Sequence, residues 1–179
     1  MAIILGIVET LLYQKKISVK ENKSFLNTLN HEGGRLKNII DDLLNLSKIE
    51  KDEHILPKTK IKIQEIIQNV SNSFLLRAKK KKIRLKLKVP KNVPQIKGDS
   101  HQLHQLFENL IDNSIKYSNL NSQIQINIKL NKKKMKKIFI IINDESPGIS
   151  ERLIPRITER FYRLDSSIKI EGTGLGLSI

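Results

Sequence analysis

The chain has 179 residues, 39% of them hydrophobic, and contains no cysteine. That is enough apolar material for a modest core, so collagenous and wholly disordered classes are excluded, as are a disulfide framework and a cysteine-based zinc site. A formal net charge of +15 raises nucleic acid as a partner, but aromatic residues make up only 4%, too few for a base-stacking platform. The basic residues gather in runs, Lys79-Lys80-Lys81-Lys82 and Lys132-Lys133-Lys134 with Lys136-Lys137, which read as solvated helix ends and hairpin tips. No apolar run reaches the roughly 18 residues of a membrane span, and the opening MAIILGIV is too short for one.

In chain order, Ile3, Ile4, Ile7, Val8, Leu11 and Leu12 form the stripe of an amphipathic helix over residues 2–13. A polar stretch, Gln14 to Ser24, interrupts it. From Phe25 the apolar positions Phe25, Leu29, Leu36, Ile39, Leu43 and Leu46 keep heptad spacing, which predicts a second helix to about Glu50, packed in a hairpin or against a second copy. Gly33-Gly34 lie inside it and should weaken it by about 1 kcal/mol each. The same stretch, NHEGGRL, offers His31-Glu32 as a possible phosphate carrier. Pro57 and its charged neighbours mark a boundary, after which periods of 2 and 3.6 alternate as in an α/β layer. The pattern predicts a short strand near 55–61, a helix from Ile63 to about Lys80 and a strand over 83–89. A helix over 100–118, which Ser100 can cap, precedes strands at 123–130 and 137–143 joined by the lysine-rich hairpin.

Four segments of the second half carry chemistry. In HQLHQLFENLIDNSIKYSN, Asn109, Asn113 and Lys116 fall on one helix face, where two amides and an ammonium can meet hydrated Mg²⁺ and phosphate oxygens. In IIINDESPGIS a strand delivers Asp144 to a turn at Pro147-Gly148, holding a carboxylate able to accept from an exocyclic amine such as that of adenine. RITERFYRLD offers Phe161 and Tyr162 as apolar cover and Arg160 and Arg163 as phosphate partners. In EGTGLGLSI, Gly172, Gly174 and Gly176 alternate before a helix start, so backbone N–H groups can approach an anion; no strand runs straight into it, unlike the dinucleotide fingerprint.

In this order and spacing the segments resemble the ATP-binding domain of sensor histidine kinases, of the Bergerat type shared with gyrase and the large heat-shock chaperones. ENLIDNSIKYS resembles the family's asparagine box, DESPGI its first glycine box, ERFYRLD its phenylalanine box and GTGLGLSI its second glycine box. Residues 25–50, ending DDLLNLSKIE, resemble the second helix of the dimerisation and phosphotransfer hairpin, and GIVETLL part of the first. Among relatives, the sensor-like kinases encoded in algal plastid genomes look most similar.

The resemblance implies an α+β chain: residues 1–52 a helical hairpin, residues 53–179 an incomplete α/β sandwich ATPase domain. It implies ATP and Mg²⁺ as ligands, with Asn113 holding the metal and Asn109 supporting it or the phosphates. Lys116 and Tyr117 would meet phosphates and the nucleotide edge, Asp144 the adenine amine, and Gly148 would let its loop pass the base. Gly172, Gly174, Leu175 and Gly176 would form the lid hinge. The implied reaction moves the γ-phosphate of ATP to a histidine, giving a phosphoprotein, and then to an aspartate of a response regulator receiver domain. A homodimer through residues 1–50 is implied, in a plastid stroma (chloroplast) or bacterial-type cytoplasm, with any membrane association lying outside this chain.

Departures from the family pattern are Ser146 and Glu171 at usual glycines, Thr158 at a usual phenylalanine, and two further strands expected beyond Ile179. His31 fails as phosphoacceptor: only Glu32 to Glu50 would remain for a second helix, and Arg35 and Leu36 stand where Thr or Asn and Pro are expected. The alignment puts the acceptor before Met1, so no catalytic residue is assigned and the chain is expected not to autophosphorylate. His101 and His104 are too few for a metal site and are expected at the surface, and His54 is uninformative. The alternative to a kinase core is a non-catalytic dimerisation module or decayed relative.

Overall fold

The computed structural model describes residues 2–13, 17–52, 59–131, 137–164 and 172–178. Two helices come first, α1 (Ala2–Tyr13) and α2 (Val19–Asp52), the second of 34 residues and thus about 50 Å long at 1.5 Å per residue. α2 begins six residues before Phe25. The cause is a capping box: Ser18 Oγ accepts from the Glu21 N–H at 3.2 Å while the Glu21 carboxylate accepts from the Ser18 N–H at 3.0 Å. Sequence reading by apolar spacing passed over it because the signal is polar. Gly33 and Gly34 do not interrupt the helix.

The rest is a two-layer sandwich. Helices α3 (Ile63–Ser73), α4 (Leu75–Lys80) and α5 (Ser100–Tyr117) accompany strands β1 (Lys60–Ile61), β2 (Arg84–Lys88), β3 (Ile96–Lys97), β4 (Gln123–Asn131) and β5 (Lys137–Asn143). The order β2-β4-β5 forms a three-stranded sheet, parallel between β2 and β4 and antiparallel between β4 and β5; β1 and β3 pair separately. The single predicted helix from 63 to 80 is two helices, separated at Phe74, whose backbone N–H turns back to the Asn72 carbonyl. β3, two residues long, was not expected. The cap of α5 is Asp99 rather than Ser100: the Asp99 side chain accepts from the Gln102 N–H at 2.9 Å. The lysine-rich hairpin tip and the first part of the strand predicted over 55–61 lie outside the described residues.

Alternation in β4 aims Ile124, Ile126 and Ile128 at the helices, in register with Leu85 and Leu87 of β2 and with Ile140 and Ile142 of β5. From the helical side come Ile63, Ile66, Ile67 and Val70 of α3 and Phe107, Ile111 and Ile115 of α5, the last three one turn apart. This core fixes the rotation of α5. With Ile111 fully buried, Asn109, Asp112, Asn113 and Lys116 are left half-buried on the open side.

Candidate functional site

That open side of α5 forms one wall of a cavity of about 820 Å³. Asn109, Asn113, Lys116 and Tyr117 line it from the helix, and Asp144, Ser146, Pro147 and Gly148 from the loop after β5. Tyr162, Arg163, Gly172, Thr173, Gly174 and Gly176 close it from the C-terminal segments. The sequence-predicted binding residues thus share one cavity except Leu175, whose side chain is fully buried beneath the turn.

Local chemistry explains each placement. Asp144 leaves the end of β5 exposed at the rim, where its Oδ1 accepts from the Ser146 N–H at 3.1 Å, an Asx turn that holds the carboxylate. Ser146, which departs from the family glycine, therefore spans the turn through its backbone. Gly148 follows with φ +78°, the left-handed conformation that favours glycine. Asn119 Nδ2 donates to the Glu145 carbonyl at 3.1 Å, tying the loop to the end of α5.

Gly174 also has φ +78°, and a Cβ there would lie 2.7 Å from the Phe161 carbonyl carbon. Phe161 itself has φ +63°, so the phenylalanine and second glycine segments meet through two left-handed backbones. The Phe161 ring is 54% exposed, so the backbone rather than the ring makes that junction. At Gly176, an added Cβ would meet the Asn109 side chain at 3.5 Å, bringing this turn against α5.

Other residues depart from expectation. Arg160 pairs with Glu50 of α2 and does not line the cavity; Arg163 does. Arg156 lies over the Tyr162 ring, 4.4 Å from its centroid, and its pairing with Glu159 raises its pKa further. His31 stands on α2, its side chain 56% exposed and 3.6 Å from Glu32. His101 is exposed, whereas His104 is half-buried with Nδ1 shielded from solvent, because the rotation set by Phe107 and Ile111 turns it inward. Glu171 and His54 lie outside the described residues.

Sequence reading missed three contributions. Arg35, Asn38 and Asp42 of α2 complete the cavity wall, and Asp42 Oδ2 accepts from Thr173 Oγ1 at 2.8 Å. Their spacing of three and four puts them on one helix face, a signal hidden by the apolar heptad beside it. Lys81 is not a solvated helix end: its Nζ donates to the carbonyls of Ile115 and Lys116 at 2.7 Å each, and to that of Ser118 at 3.4 Å. It caps the end of α5 that carries Lys116 and Tyr117. Third, Asp112 pairs with both Arg77 and Lys116.

Residues 98–179 match the family described as histidine kinase-, DNA gyrase B-, and HSP90-like ATPase. Drug sensory protein A of Synechocystis sp. is 33% identical over 96% of this chain and 27% of its own length. The sensor-like histidine kinase ycf26 of Pyropia yezoensis, whose role is uncharacterized, is 33% identical over 96% of this chain and 28% of its own. The fold is shared with histidine kinase ThkA in its crystal structure with response regulator protein TrrA, at a TM-score of 0.71 and 23% identity over 90% of this chain and 46% of that one. This chain thus spans just over a quarter of the length of those two relatives. The ATPase-domain match and relatives that align with 96% of this chain support the sensor histidine kinases as its family.

Proposed function

We propose that this chain binds Mg-ATP in the cavity beside α5, as the nucleotide-binding core of a kinase that phosphorylates a histidine and passes the phosphate to a response regulator aspartate. The observation that carries this is the convergence of Asn109, Asn113, Lys116, Asp144 and Gly174, drawn from separate segments, on one cavity large enough for a nucleotide. A non-catalytic dimerisation module would not require that convergence.

In this reading the Asp144 carboxylate, held by the Ser146 N–H, accepts from the adenine amine, and Gly148 lets the loop approach the base. Lys116 and Tyr117 meet phosphate oxygens, and the amides around Gly172, Gly174 and Gly176 face the triphosphate. Among the described residues no group of three or more His, Asp or Glu could hold a metal. The amide side chains of Asn113 and Asn109 both line the cavity and would suit Mg²⁺ arriving with its nucleotide, Asn113 supplying one oxygen ligand and Asn109 supporting it. The ion supplies charge neutralisation when bound. Transfer breaks the bond between the γ-phosphorus and the bridging oxygen, forms a bond to the acceptor imidazole nitrogen and releases ADP; the chain's part is positioning and charge stabilisation.

We assign residues 1–52 to a dimerisation hairpin and 53–179 to the ATPase domain. The exposed apolar side chains of α1 and α2, among them Val8, Leu12, Leu26, Leu43 and Leu44, support pairing with a second copy. His31, which does not itself line the cavity, is not read as the acceptor. The similarity to ycf26 supports a plastid setting, and no described helix is long and apolar enough to cross a membrane.

Calorimetric titration of ATP with and without Mg²⁺ tests the assignment. Binding should depend on Mg²⁺ and weaken at least about tenfold, or 1.4 kcal/mol, in Asn113→Ala. Affinity that ignores both the ion and the substitution would overturn it.

A further inference from the structure

Lys116, the cation expected at the phosphates, does not stand alone. Asp112, one turn before it on α5, places Oδ2 2.7 Å from the Lys116 Nζ. The other carboxylate oxygen, buried from solvent, lies 2.6 Å from Nη1 of Arg77, which comes from α4. The guanidinium sits 5.4 Å from the centroid of the Phe74 ring at the junction of α3 and α4, which helps fix its position. Asp112 and Lys116 are 20% and 24% exposed, and all three residues line the cavity. Two cations thus share one carboxylate in a partly desolvated place, where their mutual interactions are screened less than on an open surface.

A phosphate entering the cavity must compete with Asp112 for the Lys116 ammonium. How strongly Asp112 holds that ammonium depends on what else it binds. We propose that Arg77 and Asp112 are positioning residues for Lys116: Asp112 aims the ammonium into the cavity, and Arg77 takes up part of the carboxylate charge so that the ammonium stays available to phosphate. This rests on the nucleotide reading of the cavity. In this arrangement Arg77 acts on the phosphates only through Asp112. It strengthens binding of phosphorylated ligands and leaves recognition of the adenosine moiety unchanged.

The test is a double-mutant cycle in the whole chain. Affinities for Mg-ATP and for adenosine are measured by competition against a fluorescent ATP analogue, in wild type, Arg77→Gln, Asp112→Asn and the double variant. Arg77→Gln should weaken Mg-ATP about five- to tenfold, in the range of coupling between residues of one charge network, with adenosine unchanged. In the Asp112→Asn background the same substitution should have no effect, because the charge that Arg77 moderates is gone.

An ATP-selective loss that persists in the Asp112→Asn background would overturn the proposal, since Arg77 would then act on phosphate directly. An equal loss for ATP and adenosine would overturn it in favour of a purely structural role. A silent Arg77→Gln in a chain that binds Mg-ATP normally would overturn this proposal alone. A wild-type chain that binds neither ligand would overturn the reading of the cavity and this proposal with it.

Discussion

The helical pair and the sandwich use their apolar residues in opposite ways. In the sandwich, Ile67, Ile111, Ile124 and Ile126 are wholly buried, and one face of one sheet is closed by α3 and α5. In the helical pair, α1 buries nothing and α2 buries Leu46 alone among its heptad residues, while Leu36 is 36% and Leu43 is 41% exposed. The sandwich closes its core with its own residues, whereas the heptad stripe of the helical pair remains available as a surface. The cavity sits where the two meet, walled by α5 on one side and by Arg35, Asn38 and Asp42 on the other. The buried core and the exposed apolar surface therefore lie in different segments and can be disturbed separately.

The largest effect should come from the sandwich. Ile126→Ala removes a fully buried side chain from the middle of β4 and should cost about 2–5 kcal/mol in denaturant unfolding, with little change in the helical pair. A cost below that range would mean that the core of the sandwich is looser than its burial indicates. Lys81→Met keeps much of the side-chain volume but deprives the Ile115 and Lys116 carbonyls of their charged donor. Hydrogen bonds to charged groups contribute about 1.5–3 kcal/mol, and a loss of that order should appear with a weaker Mg-ATP affinity, because the end of α5 frays.

Smaller effects lie in the helical pair. A Cβ at Gly33 would meet nothing within 4 Å, so Gly33→Ala should stabilise α2 by about 1 kcal/mol through propensity alone, visible as slower amide exchange along its middle. Destabilisation there would reveal a partner packed against the glycines. Leu43→Asp should leave unfolding of the sandwich within about 0.5 kcal/mol of wild type, as surface changes usually do. Sedimentation should nevertheless report a smaller particle, if residues 1–50 pair as proposed. An unchanged mass would remove the heptad stripe as the pairing surface.

Much of this organisation was legible beforehand where one physical signal dominated. Apolar periods delivered α1, β4, β5 and most of α5, since burial of one face leaves a regular trace in sequence. The lining residues of α5 could be named from their helical spacing and those around Asp144 and Gly174 from glycine and proline punctuation, whereas Arg35, Asn38 and Asp42 could not. Polar devices were harder. Ser18 and Glu21 moved the start of α2 upstream, and Asp99 displaced Ser100 as the α5 cap, through hydrogen bonds that leave no hydrophobic trace. The break at Phe74 and the two-residue β3 were missed because neither is long enough to show a period. Contacts distant in sequence were the least accessible: Lys81 looked like one solvated lysine among four, and Asp42 facing Thr173 joins residues 131 apart.

The central claim is that the cavity recognises adenine at Asp144. Its most direct test is a calorimetric comparison of Mg-ATP and Mg-GTP binding to wild type and Asp144→Asn. The account predicts that wild type prefers ATP, and that the substitution, which puts an amide donor where a carboxylate accepted, weakens ATP at least about tenfold and abolishes the preference. Equal ATP affinity in the two proteins, or a preference for ATP that survives the substitution, would contradict it.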